Sequence, residues 1–251
     1  AGNVFSDLIR SGKVETVALT EVFRQAQRSA IIRNAHAVNG GQAPDLSNGQ
    51  NDFFFLCRRS PDRLVQTVVE LCAHRLPDNM GIDPVDIQVL SPPRRGPCGT
   101  AELNRALQAA LNPPAPDKKE KPFGDMIFRE GDRVMQIRNN YDILWKNANN
   151  TEAGTGIYNG DMGILRKIDP ENDTLTVDFD GHFATYGFDA LTELEHAWAI
   201  TVHKAQGSEY RAVILALSPN AKLLLTRDIL YTAVTRAKEL QIGRASCRER
   251  V

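Results

Sequence analysis

Cysteine is scarce. The four present, Cys57, Cys72, Cys98 and Cys247, form no C-x-x-C pair. That spacing argues against a zinc ribbon or a disulfide framework, and it fits a reducing, cytoplasmic compartment. A run of about 18 apolar residues is also lacking, so neither a membrane-spanning helix nor a membrane partner is expected. The opening stretch Ala1–Lys13 does not have the basic-then-apolar layout of a secretory leader. Charge of one sign is missing too: 30 Lys and Arg stand against 31 Asp and Glu, a net charge of −1. This excludes a broadly basic nucleic-acid coat and confines any such contact to a local patch. There is no G-x-x-x-x-G-K-[ST] phosphate loop; Gly12-Lys13-Val14 does not make one. No Asp-Glu pair closes an apolar strand, and no repeat or low-complexity stretch stands out. What is present is an ordinary globular composition, 42% hydrophobic and 24% charged over 251 residues. That is core enough for one large domain or two modest ones.

The pattern along the chain predicts two kinds of structure. Val17–Leu19 reads as a short strand, and Thr20 as the cap of a helix from about Glu21 to Asn39. Asp52–Cys57 is a compact apolar run, a buried strand with Phe53–Phe55 as core. A helix follows from Pro61, and Ile87–Leu90 is a second buried strand. The loop Ser91–Gly99 is rich in Pro and Gly. Thr100 caps a helix to Leu111 that Pro113 and Pro114 stop. Strand, helix, strand, loop and helix in that order predict a parallel α/β sheet whose functional edge lies at the strand carboxyl ends. The character then changes. Asp132–Ile137, Ile164–Ile168, Thr174–Phe179 and His182–Tyr186 are short strands, separated by turn signals such as Asn159-Gly160-Asp161 and Asp180-Gly181. They predict a small inserted β-barrel. The α/β pattern returns with Ala197–Val202, Ala212–Leu217 and a helix from about Thr226 to Leu240.

Two segments carry chemistry. Thr201-Val202-His203-Lys204-Ala205-Gln206-Gly207-Ser208-Glu209-Tyr210 joins two strands and is more polar than a plain core connection requires. Gly207 allows a close backbone approach to a ligand. His203 and Lys204 suit phosphates, and Glu209 suits a sugar hydroxyl. Leu230–Lys238 presents Arg236 on a helix, and a guanidinium so held can stabilise a transferring phosphoryl group. Taken alone, such an arginine is more often a surface ion-pair residue, and the polar loop is equally a solvated connection.

Together these two segments resemble motifs V and VI of superfamily-1 DNA helicases, in the version of the RecD-like family related to the exodeoxyribonuclease V alpha subunit. Leu19–Gln25 with Ile32–His36 resembles that family's motif IV region. Val89–Pro92 through Arg95–Pro97 and Leu103-Asn104, Gly131–Gln136 with Arg138–Tyr141, and Tyr158–Asp161 resemble further blocks. Ala1–Val4 resembles the residues that follow motif III. The resemblance implies a RecA-like parallel-sheet domain of the P-loop type with an inserted SH3-like barrel. Residues 1–44 would be the trailing part of a first motor domain and a linking helix. Residues 45–150 would be the first part of the second motor domain, 151–194 the barrel, and 195–241 the return to the second motor domain. Ile242–Val251 back-translates in one frame to a widely used short-read sequencing adapter, whose flanking bases complete the codon of Gln241 and supply a stop after Val251. This tail is therefore expected to be non-native and to lie outside the fold. The core strand that normally follows motif VI is expected to be absent or mimicked.

The resemblance also implies the sites. ATP lies between two motor domains, with the Mg2+ ligands in the first, outside this sequence; no metal ligand is assigned here. Arg24 and Arg236 reach the terminal phosphate as catalytic residues, and Gly207 and Glu209 complete this wall of the ATP site. Single-stranded DNA crosses Ser91, Pro92, Arg94 and Arg95, then Asn139, Asn140 and Tyr141, and then Thr201, His203 and Lys204. Hydroxyl, amide and basic groups of this kind grip a backbone without reading its sequence. Tyr141 and Trp145 offer faces for stacking a base, although an aromatic beside a barrel is more often packing. The implied activity is 5′→3′ translocation and unwinding at a duplex junction in DNA repair and recombination, with RecB/RecC-like subunits as a partner class. These 251 residues alone are expected to be inactive. The helicase half of a conjugative relaxase and a degenerate, non-catalytic DNA-binding module are the alternatives.

Overall fold

The computed structural model describes residues 4–17, 29–48, 51–58, 60–218 and 224–246. The Leu19–Gln25 part of the motif IV region with Arg24, the expected cap Thr20 and most of the 17–19 strand lie outside these residues. So do Ala1–Asn3 and Cys247–Val251. Helix α1 is Val4–Ser11. Helix α2 is shorter than the predicted span as described, Ala30–Asn39, because Ser29 caps it by accepting from the amide of Ile32.

Five strands form a parallel sheet: β1 (Phe53–Arg58), β2 (Ile87–Ser91), β12 (Ala199–Thr201), β13 (Tyr210–Leu217) and β14 (Ala237–Ser246). Their order is β1-β14-β13-β2-β12. Alternation places successive side chains on opposite faces. Ile87, Val89, Ala212, Ile214, Leu240 and Ile242 pack under Leu64, Val68, Leu71 and Cys72 and against Leu103 and Leu107. These belong to α3 (Pro61–Glu70), the π-helical turn Leu71–Arg75 that continues it, and α5 (Thr100–Leu111). The π turn precedes α4 (Leu76–Met80), where Pro77 cannot donate to an i−4 carbonyl. On the other face Leu90, Val213, Leu215 and Ile200 pack with Ala233 of α6 (Arg227–Val234). The sheet is thus covered by helices on both sides, as parallel sheets require.

Two expectations change here. The helix predicted to reach Leu240 ends at Val234, and Ala237 onward is strand. Residues 242–246, expected outside the fold, complete β14 between β1 and β13. Backbone pairing is indifferent to side-chain identity. Ile242 is apolar where the core needs it, and Gly243 leaves room beside the ring of Phe55. The strand after motif VI is therefore formed, with the tail residues 242–246 taking its second half, as the expectation of a mimicked strand allowed. Of the predicted core run, Phe53 is buried while Phe54 and Phe55 are half-buried, because β1 is the sheet's edge.

The insert leaves after α5 and returns at β12. A hairpin of β3 (Glu120–Phe123) and β4 (Met126–Arg129) opens it. The antiparallel sheet then comprises β5 (Arg133–Gln136), β6 (Asn140–Lys146), β7 (Ala153–Ile157), β8 (Met162–Asp169), β9 (Thr174–Phe179), β10 (His182–Gly187) and β11 (Leu194–His196). These pair in the order β11-β5-β8-β9-β10-β6-β7. Among the described residues no ladder joins the outer strands β11 and β7. The expected boundary at residue 151 falls between the paired strands β6 and β7, so this sheet begins at Arg133, before that boundary. The Asp180-Gly181 turn between β9 and β10 has φ of 51° and 89°, the left-handed pair that a tight hairpin demands.

Candidate functional site

The carboxyl ends of β2 and β12 lie side by side, with Ser91 opposite Thr201. The loop after β2 folds back on itself. The Ser91 hydroxyl donates to the carbonyl of Cys98 (2.7 Å), and the Thr100 amide donates to the carbonyl of Pro93 (3.0 Å). Ser91 and Pro92, expected on the DNA face, are buried and shape this loop instead: the hydroxyl is fully enclosed at 0% exposure and already used. A side chain at Gly99 would collide with the Arg94 carbonyl at 2.8 Å, which explains the glycine. Arg94 and Arg95 do face outward.

Glu195 of β11 meets two cations at once. Its Oε1 accepts from Arg94 Nη2 at 2.6 Å and its Oε2 from Lys204 Nζ at 2.7 Å. Arg94, Thr201 and Lys204 thus line one small cavity of about 50 Å³, together with Thr100, Asn104 and Glu195. Arg95 lines an adjoining groove of about 370 Å³ with Arg105, Gln108, Met126 and Ile127. His203 is exposed on the loop after β12.

Arg236 sits in the turn that follows α6, not within the helix. Its Nη1 donates to the carbonyl of Ser208 (2.8 Å), Nε to that of Thr232 (3.2 Å) and Nη2 to the Thr235 hydroxyl (3.1 Å). The amide of Tyr210 returns a bond to the Arg236 carbonyl (2.9 Å). The two chemistry-bearing segments are therefore knitted together through this arginine. Every acceptor it uses is neutral, and among the described residues no carboxylate pairs with it. Gly207 has φ of 86°, a conformation that favours glycine, and open space lies above its Cα. Glu209 is exposed and pairs with Lys238 at 3.3 Å.

Asn139, Asn140 and Tyr141 lie elsewhere, on the insert. Asn140 is tied inward: its side-chain oxygen accepts from the amides of Asp142 and Ile143, and its Nδ2 donates to Glu193 (2.9 Å). Asn139 accepts from the Asn159 amide (2.9 Å) and donates to the Tyr141 hydroxyl (3.1 Å). Tyr141, 64% exposed, meets Tyr158 edge-on at 5.7 Å between ring centres. Trp145 is half-buried against His182, 4.0 Å between centres.

A buried polar hub joins insert to sheet, and the sequence reading did not isolate it. Asp132 accepts from Gln108 Nε2 (2.6 Å), Asn112 Nδ2 (2.8 Å) and the Arg129 amide (2.7 Å), and lies 3.2 Å from His196 Nε2. Asn104 of α5 clasps the crossing strand at Ala199, through both its amide (2.7 Å) and its carbonyl (2.9 Å). Arg133 is buried and donates to the carbonyls of Val85 (3.2 Å) and Ile87 (3.1 Å); burial lowers its pKa, while the neighbouring Tyr210, Cys72 and Asp86 oppose that shift. The same burial raises the Tyr210 phenol. In the sequence, Gly131–Gln136 reads only as one block of the family resemblance. The partners of Asp132 are scattered over 88 residues, from Gln108 to His196, and no local pattern marks them.

Residues 103–179 match the family described as the ATP-dependent RecD-like DNA helicase SH3 domain, and residues 196–242 match the UvrD-like helicase C-terminal domain. The chain is 35% identical over 228 residues to the ATP-dependent RecD2 DNA helicase of Deinococcus radiodurans, covering 89% of this chain and 28% of that protein. It is 27% identical over 252 residues to the RecBCD enzyme subunit RecD of Mycobacterium tuberculosis, covering 95% of this chain and 41% of that one. The chain therefore spans well under half the length of these relatives. Among solved structures, the Pif1 helicase from Candida albicans aligns with a TM-score of 0.49 at 16% identity, over 91% of this chain and 56% of that one. Among the described residues no helix is long and apolar enough to cross a membrane. The match to the SH3 domain of RecD-like helicases, followed by the match to the UvrD-like C-terminal domain, on an α/β sheet with its antiparallel insert, makes this chain similar to the C-terminal portion of RecD-like helicases.

Proposed function

We propose that this chain contains the second motor domain of an ATP-dependent DNA helicase that moves 5′→3′ along single-stranded DNA. The observation that carries the reading is Arg236: a guanidinium fastened by three neutral acceptors across both signature segments, with its charge uncompensated by a carboxylate among the described residues. A cation so prepared is suited to the charge that builds on a transferring phosphoryl group. Arg24 joins it in this reading on the resemblance alone. Gly207 and Glu209 lie in the loop that Arg236 holds, which suits them to the nucleotide's sugar. Mg2+ enters with ATP and is held by the first motor domain.

The strand-end edge supplies the DNA track. Arg94, Arg95, Thr201, His203 and Lys204 are backbone-type contacts gathered from two loops. Tyr141, exposed on the insert, continues the track as a stacking face. ATP binding draws Arg24 and Arg236 onto phosphate and closes the cleft; hydrolysis relaxes it. Alternating grip by the two motor domains moves the strand.

The 251 residues alone should show only background ATP hydrolysis with single-stranded DNA present, because they hold no phosphate loop; clear turnover would refute this. In a full-length RecD-like helicase carrying this segment, Arg236→Ala should lower DNA-stimulated ATPase about 10³-fold or more. Undiminished turnover would remove Arg236 from the reaction.

A further inference from the structure

We infer that Glu195 holds, in the DNA-free protein, the place that a backbone phosphate takes between Arg94 and Lys204, so that single-stranded DNA binds at this point by displacing a carboxylate. The inference rests on the reading of the strand-end edge as the DNA track.

The geometry is that of an occupied anion site. One carboxylate oxygen serves each cation, at 2.6 and 2.7 Å. Two oxygens of a phosphodiester can meet an arginine and a lysine in the same way, as charge-assisted hydrogen bonds. The two cations come from separate loops, after β2 and after β12, whereas the carboxylate comes from a third element, the insert's β11. That strand is paired to β5 through Glu195↔Met135 and His196↔Val134, and His196 is anchored at the buried Asp132. The backbone beneath Glu195 is therefore fixed. Its side chain is 19% exposed, while that of Arg94 is 67% exposed and its loop faces outward. The rest of the cavity wall is mixed: Thr100 and Thr201 lie beside the two cations, with Met135, Ala199 and Ile200 behind them.

The charge balance follows. Two cations and one carboxylate leave a residual charge of one sign, enough to attract a polyanion but not to hold it tightly. DNA that enters must part Glu195 from both partners, and the freed carboxylate then lies beside a phosphate. Fewer counterions are released on binding, because one of the two positive charges is already balanced from within. For a motor that must let go of its strand in every cycle, Glu195 is the group that lowers the barrier to release.

The test uses the 251-residue chain and a fluorescein-labelled oligothymidylate, read by anisotropy between about 50 and 200 mM salt. Glu195→Gln keeps the shape and removes the charge. It should bind about tenfold more tightly at the low-salt end, with the log–log salt slope steeper by about 0.7 or more. The Arg94→Ala, Lys204→Ala double variant should bind more weakly than the unaltered chain, and adding Glu195→Gln to it should tighten binding less than it does in the unaltered chain. If Glu195→Gln leaves affinity unchanged or reduces it while the double variant weakens binding, Glu195 merely braces the cations, and the inference falls while the DNA track stands. If the double variant binds as the unaltered chain does, the track reading itself falls, and the inference with it. Should Glu195→Gln lower the urea midpoint, Glu195→Asp is read in its place: one methylene shorter, it should also tighten binding, and unchanged or weakened binding would overturn the inference.

Discussion

The two sheets of this molecule bury their strands differently. β2 of the parallel sheet is buried at every position from Ile87 to Ser91, whereas β9 of the insert alternates half-buried and buried residues from Thr174 to Phe179. The first is covered by helices on both faces; the second has one face in its own core and one toward solvent. This difference decides where each region can act. The parallel sheet has no free face, so its accessible chemistry is confined to the loops at its strand ends, where Arg94, Thr201, Lys204 and Arg236 are found. The insert has an open face, and its Tyr141 and Tyr158 are displayed there.

The contact between the regions is the place to break this comparison. Asp132→Ala removes the acceptor that serves Gln108, Asn112 and the Arg129 amide beside His196, leaving several buried donors unpaired. A loss of about 4 kcal/mol or more is expected, measured by urea unfolding. The two tryptophans report the regions separately: Trp145 in the insert, and Trp198 against the core of the parallel sheet. With Trp→Phe variants isolating each signal, coincident shifts mean one cooperative unit. A shift in only one signal would show that the hub does not couple the regions.

Next, matched cavities sharpen it. Leu215→Ala in the parallel sheet and Leu175→Ala in the insert should each cost about 2–5 kcal/mol; both leucines are 1% exposed. A loss below 1 kcal/mol at either site would mean that its core collapses to fill the space, as a loosely packed region does.

Third, burial pushes the Cys72 thiol from 9.0 up to about 12. Between these values the unfolded chain gives up a proton that the folded one keeps. Stability should therefore fall as pH rises from about 9 toward 12, by up to about 1.4 kcal/mol per unit. Cys72→Ala should flatten that slope, and an unchanged slope would show that another group dominates. The smallest effect belongs to the insert's tightest turn. Gly181→Ala, at φ of 89°, should cost about 1 kcal/mol, with a thermal melt as the readout.

Legibility followed the same division. β9, β10 and their Asp180-Gly181 turn were readable because alternation and turn chemistry are local. The parallel-sheet strands β2 and β13 were readable as apolar runs. The end of α6 was not: Leu230–Leu240 keeps a helical composition, but Ala237 finds a vacant ladder between β1 and β13, and tertiary pairing outweighs propensity. The inward turn of Ser91 was hidden for a related reason, since only the folded loop shows that its hydroxyl is spent on Cys98.

By itself, the sequence determined the class of each region, the order in which they occur and the two signature segments, because period, turns and motif spacing are properties of neighbours in the chain. The tertiary structure alone decided which distant groups meet: Glu195 with Arg94 and Lys204, Asp132 with Gln108, Asn112 and His196, and Arg236 with the carbonyl of Ser208. Charge and hydrogen bonding act over a few ångströms of space, and that distance exists only after the chain has folded.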